Sequence, residues 1–272
     1  MKSKYKFVIF LYIAWVLIFI VSPLCLICYF GVTDEFGKFT IENLFAVSKY
    51  SSVLWRSILL AIISTVITLL ISYPLAFILS RKKANVRNIL LMLFILPMWI
   101  NFLLRTYGCM TLLENNGLIN KFFGLFGLGP FNLINNKSAV ILGMVYNYLP
   151  FMLLPLYSVM VKIDQTIIEA AHDLGAGTIR IFTKIILPLS IPGINTGVTM
   201  VFVPAVSTFI ISRMLGGGAN FLIGDLIELQ FLGNTYNPHL GSAIALVLMT
   251  IILMCMSVMN QFDNEGKEDM LL

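Results

Sequence analysis

The chain has 272 residues, 59% of them hydrophobic and 11% charged. A water-facing surface needs about a quarter of its residues charged, so this composition excludes a soluble domain and makes lipid the solvent for most of the molecule. The net charge of +5 is scattered over short loops without a basic stripe or interleaved aromatics, which excludes a nucleic-acid surface.

Taken in order, Phe7 to Phe30 is a first span. It exceeds the roughly 20 residues a helix needs to cross the hydrocarbon core. Ser22-Pro23 predicts a kink near its far end, and Lys2, Lys4 and Lys6 place the N-terminus on the cytoplasmic side. The run is too long for a secretory signal, and no A-x-A site follows it. Cys25 and Cys28 form a C-x-x-C, but inside a span they read as small hydrophobes rather than a redox pair or half a metal site. Gly31 to Trp55 is polar enough for an outside loop. Ser57 to Leu79 is the second span, with Pro74 in its last third. Arg81-Lys82-Lys83 and Arg87 then mark a cytoplasmic turn and read as a topology anchor.

Asn88 to Tyr107 is the third span, its outer half made polar by Trp99, Asn101 and Arg105 beyond Pro97. Glu114 to Lys137 reads as an outside loop with short interfacial helical pieces. Ser138 to Val161 is the fourth span, broken by Pro150 and Pro155. Ile191 to Ser212 is the fifth, carrying Pro192, Gly193, Gly197 and Pro204. Arg213 to Pro238 lies outside and holds the apolar-acidic piece Phe221 to Phe231. Leu240 to Met259 is the sixth span, and an exposed, mobile acidic tail follows from Asp263. The expected fold is an all-α integral membrane protein of six transmembrane helices forming one domain over residues 1–272, with both termini cytoplasmic. On that topology 11 Lys and Arg residues lie inside and 7 lie outside or near the outer surface, the expected sign of bias.

Between the fourth and fifth spans, residues 162–188 form a polar interruption that still reads as folded helix. Asp164 can cap a helix from Gln165 to Leu174, and Gly175 can stop it, since only glycine takes a left-handed C′ conformation freely. Thr178 can start a second helix, Ile179 to Ile186, which Pro188 turns into the next span. A helix, a sharp turn and a helix between two spans make a knob suited to a partner's cleft.

The sequence Glu169-Ala170-Ala171-His172-Asp173-Leu174-Gly175, nine residues, then Ile185-Ile186-Leu187-Pro188, resembles the EAA signature of ABC importer permeases. The resemblance implies a type I importer (MetI-like) architecture in the bacterial cell membrane. It also implies a cytoplasmic loop that docks on a separate ATP-hydrolysing subunit through Glu169, Ala170, Ala171, Asp173, Gly175, Leu187 and Pro188. Leu96 to Tyr107, Leu113 to Asn120, Phe221 to Glu228 and Asn237-Pro238 are similar to the spermidine/putrescine branch of that family. This branch implies a second, non-identical permease subunit, two ATPase subunits and an extracytoplasmic polyamine-binding protein.

No glycine loop precedes a Lys-Ser or Lys-Thr pair, and neither G-x-S-x-G nor H-E-x-x-H occurs, so the chain reads as a non-enzyme without cofactor or metal. Prolines and glycines interrupt spans three to five, and broken helices at membrane depth are tolerated beside protein or a watery cavity, so spans three and five are expected to line a path. A polyamine needs carboxylates and aromatic faces, each cation–π contact contributing about 0.5–2 kcal/mol. The candidates are Trp99, Tyr107, Glu114, Tyr146, Asp225 and Glu228. Asp225 and Glu228 share a helix face, which fits a solvated outer surface somewhat better than an acidic outer gate. Trp99 and Tyr146 fit packing as well as path. Arg105 runs against a cationic cargo, and snorkelling to the interface or pairing with Glu114 would explain it. An importer subunit for another small solute (oxyanion, sugar or metal complex) stays open on the residues alone. So does a membrane scaffold or intramembrane enzyme without an ATPase partner.

Overall fold

A computed structural model describes residues 2–218, 220–233 and 236–268, with backbone alone for 2–8 and 260–268. The N-terminal lysine side chains and the end of the acidic tail lie outside the described residues. The described chain is helical, with one isolated bridge, Thr33 to Phe39, and no strand. Five helical segments are long and apolar enough to cross a membrane, and a sixth crossing is possible only if one sharply bent pair counts as a single span.

Two compact units are distinguishable, Met1–Ser52 with Leu226–Leu253, and Val53–Asp225 with Met254–Leu272. In the first, α1 (Lys2–Val16) passes through a π turn, Leu17–Val21, into α2 (Ser22–Gly31). Gly31 packs against Leu246, whose side chain a Cβ there would displace. The His239 ring sits edge-on to Phe30, with its Nδ1 3.1 Å from the Phe30 carbonyl oxygen. Part of the expected outside loop is helical: α3 (Glu42–Ala46) leads through a 3-10 turn, Val47–Tyr50, into α4 (Ser51–Ser80). The second span therefore begins six residues earlier than its apolar run suggests.

The second unit is built around α8 (Lys137–Met160) and α11 (Leu187–Ser207). Without a hydrophobic drive in lipid, helices associate through close backbone approach, which small residues permit. Gly193 and Gly197 provide it. A Cβ at Gly193 would lie 3.1 Å from the Pro155 carbonyl oxygen, and one at Gly197 would lie 2.6 Å from Met152 Sδ. Gly143, on the same α8, faces Ile211 and Leu215 of α12 (Ile210–Leu215), where a Cβ would lie 2.9 Å from Ile211 Cγ2. Tyr73 and Ser190 join α4 to α11 by a 2.8 Å hydroxyl–hydroxyl bond.

The fourth span is not broken at its prolines. α8 runs unbroken through Pro150 and Pro155, because its buried stripe of Met144, Asn147, Met152, Leu153 and Leu156 continues across both and packing overrides propensity. The third span, by contrast, is interrupted as its proline predicts. α5 (Ala84–Ile95) tightens into a 3-10 turn, Leu96–Trp99, and the chain then bends by 96° before α6 (Phe102–Leu113). Ile100 is extended, and the Asn101 side chain accepts from the Leu103 N–H at 2.9 Å, so an asparagine cap starts a new helix just past Pro97, where the span is expected to be interrupted. α7 (Leu118–Gly124) is the interfacial piece expected after it.

The fifth span also differs. α9 (Gln165–Asp173) is followed by α10 (Thr178–Ile181), a π turn at Phe182–Ile186 and α11 without interruption, so Pro188 does not turn the chain. A proline ring clashes with the carbonyl four residues back. For Pro188 that carbonyl belongs to Lys184, and for Pro23 it belongs to Phe19. Both lie inside the two π turns, whose wider register makes room for the ring. The fifth helix ends at Ser207, and α12 is a separate piece. α13 (Ile223–Leu232) and α14 (Pro238–Glu268) complete the order, the latter holding the sixth span, Pro238–Met259, with its expected end and continuing beyond it as helix.

Gly143→Val is expected to destabilise the detergent-solubilised protein by about 1–3 kcal/mol through overpacking against Leu215 and Ile211. Gly108→Ala, where a Cβ meets nothing within 4 Å, is expected to leave the thermal midpoint unchanged. Equal midpoints for the two variants contradict the close-approach reading.

Candidate functional site

The polar knob is a defined object. The Asp164 carboxylate accepts from the Thr166 N–H at 3.0 Å, and bonds from Thr166 hold its pKa below the usual carboxylate range. At the other end of α9 the chain closes a Schellman motif. The Gly175 N–H bonds to the His172 carbonyl at 2.8 Å, the Ala176 N–H bonds to the Ala171 carbonyl at 2.9 Å, and Gly175 stands at φ +81°. Ala171 and Ala176 are the residues that touch in such a motif, and both pack on a cluster of buried isoleucines, Ile163, Ile168, Ile181 and Ile186. Small side chains at these positions let the two short helices fold against each other.

The knob is fastened to the end of α4. Phe77 packs on the isoleucine cluster. The Arg81 guanidinium stands 5.5 Å from the Phe77 ring centre and donates from Nη1 to Gln165 Oε1 at 2.7 Å. Arg81, expected only as a topology anchor, thus also braces α9.

Of the residues expected at a partner contact, Glu169, Ala170, Asp173 and Gly175 are exposed. Ala171 turns inward, Pro188 is half-buried, and Leu187 lies further along, at the start of α11. The two most exposed apolar side chains of the knob are ones sequence reasoning passed over. Leu174, the residue before the turn glycine, is 89% exposed, and Ile179 just after it is 81% exposed. An apolar residue in the cap position beside a C′ glycine, with polar neighbours, is the available sign of such a tip.

The expected path residues do not form one site. Trp99, exposed, borders a 300 Å³ groove with Asn88, Met92 and Ile95. Tyr146 lines a different cavity of about 550 Å³, together with Ile100, Leu104, Arg105, Leu112 and Leu142. Tyr107 and Glu114 are exposed and border neither. Asp225 is not on an open face. It is 1% exposed, and its Oδ2 accepts from the Ser212 hydroxyl at 2.6 Å and the Leu222 N–H at 2.8 Å, so it ties α12 to the start of α13. That burial removes both the acidic gate and the solvated-surface reading for Asp225. Glu228 is half-buried.

Arg105 neither snorkels nor pairs with Glu114. It is 8% exposed, donates from Nε to Asn147 Oδ1 at 2.7 Å and from Nη1 to the Pro97 carbonyl at 3.3 Å, and stands over the Phe102 ring. Asn147, at the centre of α8, donates in turn to the Gly143 carbonyl and to the Thr106 hydroxyl.

Residues 72–262 match the family model described as binding-protein-dependent transport system inner membrane component. The chain is 37% identical over 261 residues to the spermidine/putrescine transport system permease protein PotB of Haemophilus influenzae, covering 91% of each. It is 38% identical over 251 residues to the protein of the same name from Escherichia coli, covering 89% of this chain and 90% of that one. Among solved structures, a bacterial ABC transporter that imports the acidic polysaccharide alginate superposes with a TM-score of 0.81 at 15% identity, over 97% of this chain and 96% of its own. A second structure of a bacterial alginate ABC transporter, in complex with an alginate pentasaccharide-bound periplasmic protein, superposes with a TM-score of 0.79 at 17% identity. These solved structures speak to the fold, while the family model and the curated relatives settle membership: the chain belongs to the inner membrane components of binding-protein-dependent transport systems.

Proposed function

We propose that this chain is one of two non-identical permease subunits of an importer for spermidine and putrescine, acting as one domain with both termini on the cytoplasmic side. The knob docks in a cleft of a separate ATP-hydrolysing subunit, one of a pair, and an extracytoplasmic binding protein delivers the cargo. The observation that carries the coupling role is the exposed apolar tip, Leu174 and Ile179, on a knob braced by Phe77 and Arg81. Two bare apolar side chains on a polar, water-facing loop are costly unless a partner covers them, at about 25 cal/mol per Å². Glu169, Ala170 and Asp173 surround the tip, Gly175 sets its turn, and Leu187 and Pro188 carry its motion into α11. The cargo rests on the shared identity along nine-tenths of the chain with permeases named for spermidine and putrescine.

In this reading recognition is left to the binding protein, and the path passes polyamines without a deep resting carboxylate. Of the expected path residues, Tyr146 contributes an aromatic wall to the larger cavity. Trp99, Tyr107 and Glu114 stand on exposed faces that the second permease subunit covers, and Glu228 stays with the outer segment.

Leu174→Asp and Ile179→Asp are each expected to leave the amount of protein in the membrane unchanged. Each lowers binding-protein-stimulated ATP hydrolysis about tenfold, which corresponds to about 1.4 kcal/mol of lost docking. Gly175→Asp, which strains the turn and adds a charge beside the tip, is expected to act in the same direction. Normal stimulated hydrolysis in all three counts against the docking role. Uptake of labelled putrescine by cells carrying the complete transporter is expected to saturate and to be competed by spermidine. Absence of uptake overturns the cargo and leaves the family membership standing.

A further inference from the structure

We propose that Arg105 is the positioning residue that sets the elbow of the third span and makes its second limb move with the fourth. The proposal rests on the reading that these spans form the path. At the elbow the helix is interrupted between Trp99 and Phe102, and the carbonyls before the break lose their usual N–H donors. In lipid such groups must find donors within the protein. The Pro97 carbonyl finds two, the Ile100 N–H at 3.2 Å and Nη1 of Arg105 at 3.3 Å. The arginine reaches back eight residues across a 96° bend to do so.

The same guanidinium donates from Nε to Asn147, and Asn147 donates to Gly143 of its own helix and to Thr106 of the limb carrying Arg105. Elbow, second limb and fourth span are therefore joined in one buried network, in which Thr106 and Asn147 are fully buried. No carboxylate lies within ion-pair distance of Arg105 among the described residues, so the cation is held by neutral oxygens and the Phe102 ring. A buried charge held this way tolerates little displacement, because every oxygen it leaves costs desolvation on both sides.

The placement ties the network to function rather than to packing alone. Ile100 at the elbow, Arg105 and Gly108 on the second limb, and Leu142 and Tyr146 on the fourth span line one cavity of about 550 Å³. The elbow angle sets its width, and Arg105 sets the elbow angle. Geometry matters as well as charge. A planar guanidinium can serve two acceptors in different directions at once, which a lysine's single nitrogen cannot match at this reach.

The test uses the complete transporter in proteoliposomes with Arg105→Gln, Arg105→Lys, Asn147→Leu and the Arg105→Gln/Asn147→Leu double variant. Maximal putrescine uptake is expected to fall about tenfold in each single variant, with KM for the loaded binding protein unchanged and more ATP hydrolysed per cargo. The double variant is expected to be no slower than either single, because one linkage is lost in all three. Spin labels on Met92→Cys and Leu112→Cys, two exposed positions on either side of the elbow, report its angle in an otherwise cysteine-free background. Their distance distribution is expected to be narrow with Arg105 and broad in each variant. Should Arg105→Gln fail to assemble, Arg105→Lys, which keeps a buried cation, carries the same measurement. A distribution as narrow in the variants as in the parent overturns the proposal, and so do single-variant losses that multiply in the double. If the parent takes up no putrescine, the cargo reading fails while the label distances still decide the role of Arg105.

Discussion

Everything in the larger unit depends on how closely α8 and α11 approach. Lipid offers helices no hydrophobic reason to associate, so the contact has to be made by backbone lying on backbone, and Gly193 and Gly197, one turn apart, are what allow it. Once that seam is closed, α8 has a continuous buried stripe, its two prolines cannot break it, and Asn147 is held at depth where Arg105 can reach it. Gly143 then gives α12 its seat, and Asp225 in turn fixes the start of α13 to α12. The polar interactions of the unit are secondary to the seam in this sense: each needs its partners brought within hydrogen-bond distance first.

The knob obeys a different solvent. Its first helix and its turn are largely exposed, so it can use a carboxylate cap and a left-handed glycine, and it folds around four isoleucines rather than around glycine contacts. The two regimes meet at the end of α4, where Phe77 belongs to the isoleucine cluster and Arg81 closes over both. A basic residue after a span ordinarily records orientation. Here it also ties the end of α4 to the first helix of the knob.

Much of this was legible beforehand because it follows from local rules. Asp164 capping α9, Gly175 ending it and the six apolar runs come from short-range chemistry that the residues display directly. The misreadings have one cause. Proline at 97, 150, 155 and 188 looks the same in sequence, yet the chain breaks only at the first. What separates them is tertiary or register context. An asparagine cap waits four residues after Pro97, a packed stripe runs through Pro150 and Pro155, and a π turn makes room for Pro188. Asp225 and Arg105 were misread for a related reason. A charged residue near a span end looks interfacial until its buried partners, Ser212 and Asn147, are known from the fold. Leu174 and Ile179 were overlooked because an exposed apolar side chain has no signature apart from its neighbours.

The π turn before Pro188 has a mechanical consequence. Because it absorbs the ring without a break, Thr178 to Ser207 is one helical rod of 30 residues, on the order of 45 Å long, rooted in the knob. A rod transmits tilt as leverage: rocking its inner end by about 5° sweeps the outer end through about 4 Å, comparable to the width of a methylene chain. A jointed connection at that proline would have dissipated the same stroke at the membrane surface.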